Sequence, residues 1–413
     1  MATRATRLQS LQHRRVRLGQ ARLNQCQYSV RRLHSSAKAY NVEKPAPKPQ
    51  QGMGGIFEPF LDPTRPELNV AKQTSLLDRL DRIKVQDILP PDQDLQAAVD
   101  AGHISLPVAE QKKLVKASLQ EIQQNQDLSN LSTQKILELT GNRTTGLAAL
   151  GNIVLRSPDG AAAALHLYKA AMDGGDDQGA FSFANMIFRG YRGIPKNEEL
   201  GVSIMSKLAQ KGHPYAQMNL AAIFLRRHPD KAMHSVKLYE LAAKSGLSEA
   251  YAELGMIYRK GTGVEQDITK AVEYFTKGAE QGDKRCNFML GIYYSSSSDH
   301  QKAFQYFQKA ATQGMPEAQH NVGQALMKGR GVDKDAYSAA QYFRMAATQG
   351  FQLSQANLGF MYLRGDGVKK DTREARLWLS RAAATGGGIG EDAKRALKEL
   401  DDSSDGRSRC SIM

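Results

Sequence analysis

The chain has few of the residues on which catalysis or disulfide bonding depends. Its 413 residues include three cysteines, Cys26, Cys286 and Cys410, and this set excludes a disulfide framework. Cys286 has apolar neighbours and is predicted to be a small buried residue. No H-E-x-x-H or C-x-x-C motif occurs, so no metal site, cofactor or catalytic residue is predicted. There is also no apolar run of about eighteen residues, the length that a membrane-spanning helix requires.

Acidic residues are missing from residues 1–42, which carry eight arginines together with Lys38. An Arg-rich, acid-free and amphipathic stretch is typical of a mitochondrial transit peptide, which we place at residues 1–35. The alternative is a basic tail that binds RNA or lipid. This stretch accounts for +9 of the net charge of +14, so the basic charge of the whole chain is weak evidence for nucleic-acid binding.

A sequence pattern of small and aromatic residues recurs along residues 146–386. Its clearest copy reads Ala-Glu-Leu-Gly at 252–255, Gly-Thr-Gly-Val at 261–264 and Tyr-Phe at 274–275. A glycine closes each copy, and successive closing glycines lie 32 to 38 residues apart. They are Gly174, Gly212, Gly246, Gly282, Gly314, Gly350 and Gly386. A period in this range predicts stacked pairs of helices, none of which can bury its apolar face alone.

Each part of the pattern has a physical reason. Leu254 and Tyr258 share one face of the first helix, and Gly255 leaves room for the approach of another helix. Gly261 and Gly263 can take positive φ in the loop. The second helix is predicted to begin at a capping side chain. The residues at this position are Asn197, Asp267, Asp299, Asp335 and Asp371.

The pattern resembles the Sel1-like repeat family, which is related to the tetratricopeptide repeat. The resemblance covers about six copies and a degenerate first copy at residues 150–174, and it implies an all-α, right-handed α-solenoid of helix-turn-helix repeats. Copies depart from the pattern at residues 190–195, 226–229 and 295–299, where the loop is rebuilt or shortened. The resemblance also implies a non-catalytic scaffold that binds proteins through the concave side of the repeats.

The remaining sequence is divided as follows. Residues 36–67 form a Pro/Gly-rich linker, residues 68–145 an N-terminal helical cap and residues 146–386 the repeat array. Within the cap, helices are predicted at 75–85, 107–126 and 132–140. A closing cap helix is placed at residues 387–400, with its helical part at 391–400, and a tail at residues 401–413.

Three asparagines occupy the same position of the repeat, just before the Leu-Gly pair: Asn219, Asn321 and Asn357. In tetratricopeptide relatives, polar residues of the first helix line the groove. An asparagine can donate and accept hydrogen bonds at once, which suits an extended peptide. The alternative is that these amides satisfy backbone groups of the adjacent repeat. Glu253 and Met289 interrupt the series.

The leading hypothesis is a mitochondrial adaptor, since related repeat proteins include factors for cytochrome oxidase biogenesis. Its expected partners are client proteins with an acidic surface or an extended peptide, together with a peripheral association with the inner membrane. The low cysteine content favours the matrix or the matrix face of that membrane.

The alternative is a prenylated regulatory adaptor similar to fungal chitin synthase activators, because Cys410-Ser-Ile-Met413 fits a prenylation box. A mitochondrial RNA-binding protein is favoured least, since no series of base-reading side chains recurs in the repeats.

Overall fold

The computed structural model describes residues 80, 82–125, 128, 130–141 and 143–410, with side chains as far as Asp402. This part of the chain forms nineteen α-helices and no β-strand, which confirms the predicted all-α class. Residues 1–35 and 36–67, predicted to be a transit peptide and a linker, lie outside the described residues. So do residues 411–413 of the prenylation box and most of the helix predicted at 75–85.

Four helices precede the repeats. They are α1 (Val85–Ile88), α2 (Asp92–Asp100), α3 (Val108–Asn125) and α4 (Gln134–Leu139). α3 and α4 lie inside the predicted helices, whereas α2 was not predicted. The carboxylates of Asp92 and Asp94 in its first turn stabilise α2, because they lie at the positive end of the helix dipole. Leu114 and Ile122 of α3 share one buried cluster with Leu150 of the first repeat, so these helices cover its apolar end.

Seven helical hairpins follow, and each packs against the next. The pairs are α5 (Leu147–Val154) with α6 (Ala161–Asp173), α7 (Asp177–Arg189) with α8 (Glu198–Gln210), α9 (Pro214–Arg227) with α10 (Ala232–Lys244), α11 (Glu249–Lys260) with α12 (Ile268–Glu280), α13 (Lys284–Ser296) with α14 (His300–Thr312), α15 (Pro316–Lys328) with α16 (Ala336–Thr348), and α17 (Gln352–Arg364) with α18 (Thr372–Ala384). Buried residues form successive clusters along this array, as expected for an α-solenoid.

The last helix, α19 (Gly387–Cys410), is longer than the predicted cap helix. Ala393 and Ala396 are buried against Leu379 of α18, so the helix covers the open end of the last repeat. It continues beyond residue 400, where Asp401 forms an ion pair with Arg376 of α18. Across the described residues, no helix is long and apolar enough to cross a membrane.

A glycine of the first helix and an aromatic ring of the second meet in most repeats. A Cβ atom added to Gly255 would lie 2.3 Å from Phe275, and one added to Gly291 would lie 2.5 Å from Phe307. In the last repeat, a Cβ on Gly359 would lie 2.7 Å from Leu379. These distances confirm that glycine is needed where the two helices of a repeat approach each other.

The loops confirm the other local predictions. The side chains of the five predicted capping residues each accept a hydrogen bond from a backbone N–H in the first turn of the second helix. They are Asn197, Asp267, Asp299, Asp335 and Asp371. Gly263 has φ of 67°, and a Cβ there would lie 2.2 Å from the carbonyl oxygen of Pro229 in the preceding repeat. The loop glycine therefore allows the backbones of neighbouring repeats to touch.

Candidate partner-binding groove

The first helices of three consecutive repeats form the walls of a groove of about 880 Å³. α7, α9 and α11 supply most of its residues. Residues 281–283 and the first two residues of α13 close one side. This volume is within the range of about 300–1,000 Å³ in which proteins hold ligands. The lining includes Asn185, Phe188, Arg189, Met205, Tyr215, Met218, Asn219, Ile223, Arg226, Tyr239, Glu249, Glu253, Asp283 and Arg285.

The three asparagines predicted from the repeat are not brought together in this groove. Asn219 lines it and is 7% exposed. Asn321 and Asn357 are half-buried in later repeats and are not among the residues that line it. The Asn321 amide donates to the backbone carbonyl of Glu317, 2.8 Å away in the same helix. The role of these asparagines in binding stays a prediction.

Two further residues, Asn185 and Tyr239, lie on the floor of the groove and were not predicted from the sequence. Asn185 follows Ala184, which holds the position of Gly255 in its repeat, and Asn185 is 3% exposed. Tyr239 occupies the position of Phe275 and is 2% exposed. A comparison of equivalent positions along the repeats would have found Tyr239, because it carries a hydroxyl where the copies at 275, 307 and 343 have phenylalanine.

The floor of the groove includes three polar side chains that have no hydrogen-bond partner among the described residues. The side chains of Asn185, Asn219 and Tyr239 make no hydrogen bond to any group in the described part of the chain. Tyr168, which holds the equivalent position to Tyr239 in the first repeat, differs because its hydroxyl donates to Asn152 at 2.5 Å. Burial and the nearby Glu253 carboxylate raise the pKa of Tyr239, so its hydroxyl stays protonated and can donate.

Two arginines at the rim have no carboxylate partner among the residues that the structure describes. Arg189 and Arg226 lie in the last turns of α7 and α9, and neither forms an ion pair with a described residue. Arg189 is exposed as a residue, yet the surrounding atoms displace water from its guanidinium. This desolvation, followed by the charge of Arg226, lowers the pKa of Arg189 below its ordinary value. The rim therefore holds two positive charges close enough to repel each other.

The wall on the α11 side carries acidic groups. Arg285 Nη1 pairs with Glu253 Oε1 at 2.8 Å, and its Nη2 donates to the Glu249 carbonyl at 2.9 Å. The Glu249 carboxylate makes no ion pair within the part of the chain that the structure covers. Lys284 and Arg285 line the same wall, so it carries three acidic and two basic side chains, opposite the positive end of the groove.

The chemistry of the groove is that of binding. Its amides, hydroxyl and guanidiniums can donate and accept hydrogen bonds. Among the described residues, no group of three or more His, Cys, Asp or Glu side chains could hold a metal ion. Cys286 lies near the groove with 0% exposure, which confirms its prediction as a small buried residue. Burial raises the pKa of its thiol, so it is not a reactive thiolate at neutral pH.

Comparisons with known proteins agree with this architecture. Six stretches of the chain match the Sel1 repeat, and they are residues 181–213, 214–247, 248–283, 285–315, 316–351 and 352–387. A Sel1 repeat protein from Oxalobacter formigenes has a similar fold, with a TM-score of 0.53 and 24% identity over 84% of this chain and 99% of that one. A protective antigen of uropathogenic Escherichia coli strains with an SLR fold gives a TM-score of 0.51 and 25% identity over 64% and 67% of the two chains.

Two curated relatives share shorter stretches. An uncharacterised protein of Neisseria meningitidis is 29% identical over 143 residues, which are 34% of this chain and 29% of that protein. The DAP3-binding cell death enhancer 1 of Rattus norvegicus is 32% identical over 83 residues, which are 20% of this chain and 16% of that protein. The chain therefore spans less than a third of the length of these relatives.

Fold and groove together define a helical-repeat solenoid that acts as a scaffold for protein interactions. Solenoids of this kind are generally non-catalytic adaptors. Because six of its repeats match the family, the chain belongs to the Sel1 repeat family.

Proposed function

We propose that this chain is a non-catalytic mitochondrial adaptor that binds client proteins through the groove and assists the assembly of inner-membrane complexes such as cytochrome oxidase. The observation that carries the binding role is the set of unpartnered polar side chains on the groove floor: Asn185, Asn219 and Tyr239. The polar atoms of these side chains open into the groove and have no partner among the described residues, so a ligand with hydrogen-bonding groups can pair with them. A relative whose name describes it as DAP3-binding supports a protein as the partner.

The proposed compartment rests on the sequence of residues 1–42, which is rich in arginine and has no acidic residue. We place the mature protein in the matrix or at the matrix face of the inner membrane, where it associates peripherally.

Import of a reporter tests the compartment. A fluorescent protein fused after residue 60 is expected to enter mitochondria and to be shortened near residue 34. The matched control replaces the eight arginines of residues 1–42 with glutamine and should stay in the cytosol at full length. An unprocessed wild-type reporter in the cytosol would refute the mitochondrial assignment.

Proximity labelling from the repeat array, combined with fractionation, tests the partners. The expected partners are subunits or assembly factors of an inner-membrane complex. Labelling of these proteins should fall when Asn185 and Asn219 are replaced by leucine. Gln308→Leu is the control, because it introduces the same side chain at an exposed position of another repeat, outside the groove. Equal labelling by all variants would remove the groove from the binding function.

A second candidate function is favoured by the sequence Cys410-Ser-Ile-Met413, which fits a prenylation box. The chain would then be an adaptor attached to a membrane that faces the cytosol, where prenylation takes place. Cys410→Ser should release such a protein from the membrane fraction. A Cys410→Ser variant with unchanged fractionation and normal import would leave the mitochondrial proposal as the better one.

A further inference from the structure

We propose that the groove recognises an extended peptide segment of a partner protein in which one carboxylate side chain is flanked by neutral residues. Arg189 and Arg226 would bind the carboxylate, and Asn185, Asn219 and Tyr239 would bind the peptide backbone. This inference rests on the proposed adaptor function and names the chemistry of the client segment.

The backbone of an extended peptide matches the floor of the groove. Each peptide unit offers one N–H donor and one carbonyl acceptor. The Asn185 and Asn219 amides can each donate and accept, and the protonated Tyr239 hydroxyl can donate. These three side chains are 3%, 7% and 2% exposed and find no partner within the described residues. Their polar atoms open into the groove, where the donors and acceptors of a peptide backbone can take the place of water.

The carboxylate follows from the two arginines. Arg189 and Arg226 come from neighbouring repeats and face one groove, without an ion pair to any described residue. A carboxylate in the groove would be attracted to both positive charges. Guanidinium groups bind carboxylates through two parallel hydrogen bonds, which gives both affinity and orientation.

Neutral flanking residues follow from the acidic wall. The Glu249 carboxylate, without an ion pair to a described residue, begins α11, whereas Arg189 and Arg226 lie in the last turns of α7 and α9. The first helices of successive hairpins run parallel, so these charges lie toward opposite ends of a groove of one helix length. Lys284 and Arg285 line the same side, but the three carboxylates there, Glu249, Glu253 and Asp283, outnumber them. A peptide with further acidic residues would place a negative charge near Glu249 and gain no affinity from it.

The N-terminal residues 1–42 of this chain are not expected to occupy the groove. Residues 1–42 contain no Asp or Glu and carry nine positive charges, which the two rim arginines would repel. The same charges give a prediction for salt. Since the arginines are exposed, binding of the acidic peptide should weaken as ionic strength rises.

A display library of random ten-residue peptides, selected on the full-length protein, tests the inference. Enriched peptides are expected to contain one Asp or Glu with neutral neighbours. Their affinity is then measured by fluorescence anisotropy with a labelled peptide and its Glu→Gln form. Arg189→Gln together with Arg226→Gln should weaken binding by about tenfold or more, because charge-assisted hydrogen bonds are lost. The Glu→Gln peptide should bind the wild-type protein equally weakly.

Arg227→Gln is the matched control. Arg227 adjoins Arg226 and loses the same charge on substitution, but it already pairs with Glu198. Its guanidinium lies over the ring of Phe188, 5.8 Å from the centroid, but Arg227 itself does not line the groove. Its variant should therefore bind the peptide within about twofold of the wild-type protein. Circular dichroism of each variant verifies the fold. Asn219→Leu, which keeps both arginines, should weaken the acidic and the Glu→Gln peptides by similar factors.

Several outcomes would overturn the inference. These are a library without enrichment, enriched peptides without an acidic residue, or equal effects of Arg227→Gln and the Arg189/Arg226 variant. Selected peptides that match residues 43–79, or a wild-type dimer that the two substitutions convert to monomer, would assign the groove to this chain itself. If neutral peptides bind and need Asn185 and Asn219, the adaptor function stands while the carboxylate recognition fails.

Discussion

Replacing Gly255 with alanine tests how closely the two helices of a repeat are packed. The added methyl carbon would lie 2.3, 2.5 and 2.7 Å from three ring carbons of Phe275. Carbon atoms in contact are normally about 3.5–4.0 Å apart. Phe275 is 2% exposed, so its ring has no free space to enter. Either the ring or one helix must therefore shift by about 1 Å to restore normal contact.

Two effects of opposite sign decide the result. Alanine is about 1 kcal/mol more favourable than glycine in the interior of a helix. Overpacking a close-packed core costs about 1–3 kcal/mol. Overlap with three atoms of one rigid ring places Gly255→Ala near the upper end of this range. We therefore expect a net loss of about 2 kcal/mol in the free energy of unfolding.

Two further variants separate these effects. Gly388→Ala in α19 introduces the same methyl group with no atom within 4 Å, so stability should stay equal or rise slightly. Gly255→Ala combined with Phe275→Leu should lose less than the sum of the two single changes. The last repeat already pairs Gly359 with Leu379, a smaller and more flexible side chain than phenylalanine.

Urea unfolding followed by circular dichroism measures the global effect, and hydrogen exchange locates it. Both are needed because a repeat array can unfold in parts. Exchange should accelerate in α11 and α12 of the Gly255→Ala variant and stay unchanged in α3. If Gly255→Ala and Gly388→Ala changed stability equally, the argument from close approach would be wrong.

Three further predictions use the same measurements. Asp335→Ala removes the cap of α16 and should lower stability by about 1 kcal/mol, whereas Asp335→Asn should lose less. Burial lowers the pKa of His320 from 6.5 to about 4, so the folded state binds its proton less readily than the unfolded state. The contribution of neutral His320 to the free energy of unfolding is therefore complete above pH 6.5. It falls as the pH drops toward 4, by on the order of 2 kcal/mol at pH 5. His320→Gln should reduce this pH dependence in urea titrations. Tyr239→Phe removes an unpartnered hydroxyl and should leave stability equal or higher while weakening peptide binding, and a clear loss of stability would show that the hydroxyl is already satisfied.

Much of the fold could be predicted because its determinants are local. The period of the closing glycines indicates the number of hairpins. Asp267 and Asp371 cap the helices that follow them, since a capping side chain binds backbone N–H groups only two or three residues away. The length of α19 was predicted less well. Its last part depends on a contact with Arg376, a residue in another helix.

The groove could be predicted only in part. The repeat pattern identified Asn219, which lines the groove, but it equally identified Asn321, whose amide bonds within its own helix. Asn185 and Tyr239 lie at other positions of the repeat, so the pattern that contains Asn219 does not include them. In the structure these two residues come from different helices and meet in a space that three consecutive repeats enclose.

The sequence by itself determined the repeat, its helix boundaries and its loops, because capping, glycine φ angles and apolar periodicity act within a few residues of the chain. Only the tertiary structure decided which polar side chains share a cavity and which charges find partners. Those properties depend on distances between helices more than thirty residues apart in the chain, such as Arg189 and Arg226. Such distances follow from how neighbouring repeats stack.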